Sequence, residues 1–351
     1  MTEKEFCLIG CDTEQYLSKQ IDNELSGSPG YRGMLDFDNL MHPDKELEPR
    51  IKEYVRGNEA YVVHELYSPT TPERSINDNL MSLCLAIQAM GKADAEKITA
   101  IIPYYAYSRS DRRSGKELGL RKPIAARLAA DFIVVSGADR VVTVDIHNES
   151  IEGFFPSRFP LENIYTTNLL LPELVKQYSD YIDHAVVLSL DMGGAKRNAY
   201  KADQLKIPTV VLDKARDIET GKTKIRNIVG DPKGKYCIAI DDIAATVSSL
   251  DVGTDAVMNA GAKGIIGCFS IPMFVGPAIE RLDKLYDNGN GPLIGVIGTD
   301  AVWHGYDFEK QHPYYSCVKI APTIANTIKV MQKIHEEGSL HQELDVNAKR
   351  F

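Results

Sequence analysis

Nine apolar runs of four to six residues recur along this chain: Phe6–Ile9, Ala60–Val63, Ile98–Ile102, Arg140–Val144, Ala185–Leu188, Thr209–Leu212, Tyr236–Ile240, Gly264–Phe269 and Leu293–Ile297. Their apolarity is continuous rather than alternating, which marks strands covered on both faces and hence a parallel sheet. Helical patterns lie between them. Ser75-Ile-Asn-Asp-Asn79 opens one whose apolar positions Leu80, Leu83, Cys84 and Ile87 recur at helical spacing before Gly91, and Pro123 stands near the start of another that ends around Gly137. Repeated strand–helix units predict an α/β fold in which mainly parallel sheets are flanked by helices.

With 351 residues, the chain can build two domains, each with its own core. The most turn-like boundary is Gly153–Pro160, giving an N-terminal domain over 1–155, a second over 156–320, and a C-terminal helix and tail over 321–351. No apolar run approaches the roughly 20 residues of a membrane span, and the polar start is unlike a secretory signal. Six scattered cysteines without a CxxC pair read as buried free thiols of a reducing cytoplasm. A net charge of −9 argues against a general nucleic-acid binder and gives weight to any local basic cluster.

Ligands of open α/β sheets bind beyond the carboxyl ends of the strands, so polar residues directly after apolar runs are the candidates. Between Arg109 and Lys122 stand six cations and two acids, a positive segment suited to a polyphosphate or merely a solvated loop. Strand alternation would place Asp145 and His147 of VTVDIH on one face, able to hold a hydrated divalent ion or orient a phosphate, although a satisfied core histidine is the commoner outcome. In Asp191-Met-Gly-Gly-Ala-Lys-Arg197 an acid precedes two glycines and two cations, so backbone can approach a ligand with charge beside it. Lys214 and Arg216, two apart before a flexible-looking segment over 217–224, could close over developing negative charge or could simply be solvated. The sequence GKT at 221–223 is not a phosphate-binding Walker loop, because Arg216 stands where that motif has its first glycine. Asp241 and Asp242 end a further run and enter a hydroxyl-rich turn, Ala245-Thr-Val-Ser-Ser249, able to serve sugar hydroxyls or a metal.

Taken in order, VRG (55–57), INDNLM (76–81), AIIPYYAYSRSDRR (100–113), SGADRVVTVDIH (136–147), IEGFF (151–155), DMGGAKR (191–197), DKAR (213–216), VGD (229–231) and IDDIA (240–244) resemble the ribose-phosphate diphosphokinase, or phosphoribosyl pyrophosphate synthetase, family over nearly the whole chain. The resemblance implies two phosphoribosyltransferase type I domains and a homo-oligomer, usually a dimer-based hexamer. It also implies Mg²⁺-dependent transfer of the β,γ-diphosphate of ATP to the anomeric hydroxyl of ribose 5-phosphate, releasing AMP. On the same basis Arg109, Ser110 and Asp111 fall in the ATP-phosphate loop, and His42, Asp44 and Glu46 align with the adenine-site motif. His147 and Asp191 match the Mg-ATP site, Lys214 and Arg216 match the catalytic cationic pair, and Asp241 and Asp242 match the acids that hold ribose hydroxyls.

Three departures stand out. His42 replaces an aromatic that stacks on adenine, and Ser110 replaces a glutamine. In the acceptor loop, where the family reads Asp-Asp-x-x-Asp-Thr-Gly-Gly-Thr, Ala245 replaces an acid, Val247 and Ser248 replace both glycines, and Ser249 replaces threonine, while Thr246 is kept. Glycine makes a φ > 0 phosphate nest inexpensive, and a β-branched valine resists that conformation. The rewritten loop leaves three readings open: ribose 5-phosphate itself as acceptor, a 5-substituted form such as ADP-ribose, or a non-catalytic regulatory relative of an active synthetase.

Overall fold

The computed structural model describes residues 5–113, 121–216 and 223–337. The chain forms two compact units, one containing everything up to Tyr165 together with Ala301–Trp303 and the chain from Lys319, the other Thr166–Asp300 with His304–Val318.

In the first unit the elements are β1 (Phe6–Gly10), α1 (Tyr16–Leu25), β2 (Tyr31–Met34), β3 (Phe37–Met41), β4 (Leu47–Ile51), β5 (Glu59–Val63), α2 (Ile76–Lys92), β6 (Lys97–Ile102), α3 (Ala125–Val135), β7 (Arg140–Val144), β8 (Leu161–Ile164) and, at the far end of the chain, α10 (Ala321–Glu337). Six strands form a parallel sheet in the order β2-β1-β5-β6-β7-β8, and β3 pairs with β4 as an antiparallel hairpin. Strands β1 and β5 are buried at every position, as continuous apolarity requires of a sheet covered on both faces. Helix α2 starts on a reciprocal cap: Ser75 Oγ accepts from the Asp78 N–H while Asp78 Oδ2 accepts from the Ser75 N–H at 2.8 Å. Helix α1 approaches β1 so closely that a Cβ on Gly10 would lie 2.1 Å from Ser18 Oγ. Residues 321–351 stand apart in the sequence reading, yet α10 packs on α1, and Gln332 Nε2 donates to Glu59 Oε2 and the Tyr61 hydroxyl at 2.9 and 2.7 Å.

The second unit runs α4 (Thr167–Gln177), α5 (Ser179–Ile182), β9 (Ala185–Ser189), α6 (Ala195–Leu205), β10 (Thr209–Arg216), β11 (Thr223–Val229), β12 (Tyr236–Ile243), α7 (Ser248–Asn259), β13 (Gly264–Ile271), α8 (Ala278–Tyr286), β14 (Leu293–Thr299), α9 (Phe308–Gln311) and β15 (Tyr315–Val318). Its seven strands lie in the order β11-β10-β9-β12-β13-β14-β15, parallel except that β11 runs against β10. The core is built from both sheet faces, with Leu188, Leu212, Ile265 and Phe269 on one side and Val187, Ile238, Ile266 and Cys268 on the other.

All nine apolar runs are strands. Two continue past their apolar part: β10 carries Lys214 and reaches Arg216, and β12 carries both Asp241 and Asp242. Strands β2, β3, β4, β8, β11 and β15 have too little apolar sequence to announce themselves, and all six lie at sheet edges or in the hairpin. Strand β7 stops at Val144 and Asp145 turns into the left-handed region at φ 36°, so strand alternation does not relate Asp145 to His147. Of the six cysteines, none is bonded to another; five are buried and Cys317 is half-buried. Among the described residues no helix is long and apolar enough to cross a membrane.

Leu188, fully buried in the middle of the second sheet, tests this core. Leu188→Ala is expected to cost about 2–5 kcal/mol by the lost burial and the cavity left behind, measured as a lower urea midpoint at unchanged slope.

Candidate active site

Strands β10, β9 and β12 are neighbours and parallel, so their carboxyl ends lie side by side and deliver Lys214, Asp191 and Asp241 to one place. Asp191 follows β9 in a turn closed by its own carboxylate, with Oδ1 accepting the Gly194 N–H at 2.9 Å. Gly193 and Gly194 leave no Cβ to crowd that carboxylate; one on Gly193 would stand 3.2 Å from Asp191 Oδ1. Helix α6 begins directly afterwards and is bolted to the sheet by buried Asn198, whose Nδ2 donates to Ser189 Oγ at 3.1 Å and to the Ile240 carbonyl at 3.0 Å.

Lys214 is half-buried, and a register shift between Asp213 and Lys214 interrupts its ladder with β11. Burial pushes its ammonium below the usual lysine range, while the carboxylates of Asp191 and Asp241 pull it back up. Asp241 is pushed up to about 8, first by burial and then by the adjacent Asp242 and by Asp191. The two neighbouring acids have separate partners. Asp242 is buried against Arg197, whose Nη1 lies 3.4 Å from Oδ2, and Asp241 Oδ1 accepts the Asp242 N–H at 3.0 Å. Asp242 is thereby paired, and Asp191 and Asp241 are the acids that remain beside Lys214. The strand places Arg216 two residues beyond Lys214, and the rest of the segment at 217–222 lies outside the described residues.

Beyond Asp242 the acceptor-loop candidates form the turn into α7. The Ala244 N–H donates to the Ile271 carbonyl at 3.0 Å, and the Ala245 carbonyl accepts the Val275 N–H at 2.9 Å. Thr246 Oγ1 donates to Ser248 Oγ at 3.2 Å. Val247 caps the helix at φ 59° and ψ 7°, the left-handed conformation that the family's glycine would adopt freely. A β-branched residue there costs on the order of 1–3 kcal/mol. Val247 is nonetheless held, its side chain buried in the core with Ala244, Leu250 and Phe274. Ser248 is the first residue of α7, so the second missing glycine is a helical position with no such demand. The first turn of α7 presents its backbone N–H groups and the Ser248 and Ser249 side chains at the end of β12, a site that suits an anion.

Arg281 was not foreseen. It lies on α8, and its Nη1 donates to the Thr246 carbonyl at 2.6 Å while its Nε stands 3.6 Å from the Asp251 carboxylate. The 35 residues separating it from Thr246 leave no local sequence signal.

In the first unit, His42 and Glu46 close the β3–β4 hairpin, the His42 N–H donating to the Glu46 carbonyl at 2.8 Å, with Lys45 left-handed at φ 76°. Asp44 Oδ1 accepts the Glu46 N–H at 3.1 Å, and both side chains are exposed. The His42 ring is tied by Nε2 to Glu48 Oε2 at 2.8 Å, and hydrogen bonds from Arg50 and His42 lower the Glu48 carboxyl to about 2. Beyond β6, the exposed Arg109 hydrogen-bonds the buried Tyr104 phenol and offsets part of the rise that burial causes there. Ser110 is turned toward α3, its carbonyl accepting the Ala126 N–H at 3.2 Å and its Oγ the Ala125 N–H at 3.4 Å. It supplies partners to a helix start whose own cap residue, Ile124, gives none. Asp111 is almost fully buried and accepts from Asn148 Nδ2, which fastens this loop to the residue after His147. The remaining cations Arg112, Arg113, Arg121 and Lys122 are exposed, and Lys116 lies outside the described residues.

Two family profiles match the chain: the N-terminal domain of ribose phosphate pyrophosphokinase over residues 6–137, and the phosphoribosyl transferase domain over residues 161–287. The ribose-phosphate pyrophosphokinase of Aquifex aeolicus is 34% identical over 323 residues, spanning 92% of this chain and 96% of that one. That of Thermotoga maritima is 37% identical over 261 residues, spanning 74% and 77%. Among solved structures, the phosphoribosylpyrophosphate synthetase of Mycobacterium smegmatis is 29% identical, with a TM-score of 0.79 over 96% of this chain and 100% of that one. Matching profiles over both units and full-length similarity to these enzymes make this chain a member of the ribose-phosphate pyrophosphokinase family.

Proposed function

We propose that the protein transfers the β,γ-diphosphate of Mg-ATP to the anomeric hydroxyl of a ribose 5-phosphate-type acceptor, with release of AMP. The observation that carries this reading is Lys214, an ammonium with a depressed pKa held beside Asp191 and Asp241. Diphosphoryl transfer demands mainly alignment and neutralisation of charge spreading over phosphate oxygens. A partly desolvated cation acts more strongly on such charge than a solvated one does. In the second unit Asp241 and Asp242 take the ribose hydroxyls and Lys214 and Arg216 the transferring phosphates; Arg109, Asp111 and the His42–Glu46 hairpin tip are the first unit's own candidates for nucleotide contacts. An inactive regulatory relative would have no use for Lys214 in this state.

Among the described residues no three acidic, histidine or cysteine side chains converge into a ready-made metal cage. Mg²⁺ is usually held by one or two carboxylates together with substrate phosphates and water, and needs no such cage. Within the second unit the donors fit: Asp191 offers carboxylate oxygen, and Asp241 is a carboxyl that nearby cationic charge would favour in its ionised form. When bound, the ion supplies charge neutralisation on the phosphate oxygens.

For the acceptor we favour a ribose whose 5-phosphate is esterified, ADP-ribose being one such compound. Ala245 stands where the family has a longer acid and so frees space beside the turn, while Ser248 and Ser249 supply hydroxyls. A diester phosphate carries one charge rather than two, and a hydroxyl-lined helix start suits it. Free ribose 5-phosphate is the second reading, favoured by the left-handed turn that Val247 preserves.

Following AMP release with Mg-ATP and each acceptor, with ³¹P NMR of the product, separates these readings. Turnover with ADP-ribose well above that with ribose 5-phosphate is expected, and the reverse order would establish the second reading. No AMP with any acceptor would leave the regulatory one. Lys214→Ala is expected to lower kcat by about 10²–10³ in the same AMP-release assay. The raised Asp241 pKa also predicts a stability effect. A carboxyl whose folded pKa is raised contributes stability below its unfolded pKa of about 4, and that contribution is lost as pH rises through about 8. Without Mg²⁺, Asp241→Asn should therefore gain thermal midpoint on the parent chain progressively from pH 4 to pH 8, and added Mg²⁺ should narrow the gap at pH 8.

A further inference from the structure

The acceptor turn combines a left-handed valine with an arginine, 35 residues from Thr246, that bonds the Thr246 carbonyl. We propose that Arg281 is a positioning residue that locks the glycine-free acceptor loop in its anion-binding conformation; this rests on reading residues 245–249 as the acceptor site. The contacts form a closed ring. Arg281 Nη1 donates to the Thr246 carbonyl at 2.6 Å, Arg281 Nε faces Asp251 Oδ2 at 3.6 Å, and the Asp251 N–H donates to the Val247 carbonyl at 3.0 Å. The carbonyls on either side of Val247, its own and that of Thr246, are thereby fixed, one by the helix and the other by the guanidinium.

With both carbonyls engaged, φ of Val247 cannot relax to a negative value without breaking the guanidinium bond or the first bond of α7. Burial of the valine side chain beside Leu250 and Phe274 adds a second restraint. A glycine at this position would need neither, because it populates φ > 0 without strain. Arg281 is only partly exposed, with its side chain at 31%, and both its contacts are to the loop and its helix. Its function is therefore to replace the conformational freedom that glycine would supply.

A loop that occupies its competent conformation only part of the time binds more weakly in proportion to that fraction. In Arg281→Gln, acceptor KM should rise by about tenfold if the competent turn falls to about a tenth of the population, while the ATP KM moves less than about twofold. Val247→Gly tests the cause. Measured against V247G, the further effect of R281Q on acceptor KM should shrink to less than about threefold, since glycine holds the turn unaided. An undiminished R281Q effect in the V247G background would mean that Arg281 acts on the acceptor directly, and would overturn the proposal. An equal rise in both KM values would overturn it too. Thermal unfolding of the same four proteins gives a second readout that needs no acceptor. R281Q should lower the midpoint more in the parent chain than in V247G, and strict additivity would overturn the clamp. Coupling in unfolding with no acceptor-dependent AMP release would uphold the clamp and remove the acceptor assignment alone.

Discussion

A half-buried ammonium, Lys214, and a half-buried carboxyl, Asp241, stand together at the carboxyl edge of the second sheet. Desolvation alone acts against the charged form of each, lowering the lysine pKa and raising that of the acid. Their proximity, with Asp191 as a further anion, keeps charge in a place where isolated charges would be expensive. The arrangement follows from topology, because β10, β9 and β12 are adjacent and parallel and their ends cannot be far apart. The fold imposes the charge cluster, and a bound cation or anion can then shift its balance.

Such a cluster needs a rigid backing. Asn198 ties α6 to β9 and β12, and Arg197 on the same helix neutralises Asp242. One helix thus anchors itself to the sheet and pairs the inner of two adjacent acids, leaving the other acid to interact with Lys214. Two consecutive aspartates can coexist because their environments differ. One is ion-paired and buried, while the other is neutralised in part by holding its proton to higher pH.

Much of this was legible in the sequence, for identifiable reasons. Continuous apolar runs such as Gly264–Phe269 reveal central strands because both faces must be covered, and the residues following them mark the ligand edge. The runs understated β10 and β12, since Lys214, Asp241 and Asp242 are polar residues within strands whose ladders continue past the apolar core. Edge strands such as β8 and β11 escaped notice because a half-solvated strand has no need of continuous apolarity. His42 and Ser110 could be aligned but not interpreted, because their present partners, Glu48 and the start of α3, come from tertiary pairing. Arg281 was invisible for the same reason: a single arginine in a helix means nothing until the loop it serves is folded beside it.

The glycine-free turn shows where sequence reasoning about conformation needs a physical complement. Missing glycines suggest a lost φ > 0 position, yet Val247 occupies φ 59° and Ser248 never required such a conformation. Intrinsic preference is a cost of a few kcal/mol at most, and side-chain burial together with fixed neighbouring carbonyls can offset it. This helix start therefore holds a left-handed residue without glycine, and the departure from the family's sequence pattern lies in what the side chains add. An acid is gone at Ala245, apolar volume is buried at Val247, and hydroxyls stand at Ser248 and Ser249. On the acceptor reading proposed above, a loop altered in this way would select its anion by the charge and bulk the anion carries rather than by the shape of the peptide that wraps it.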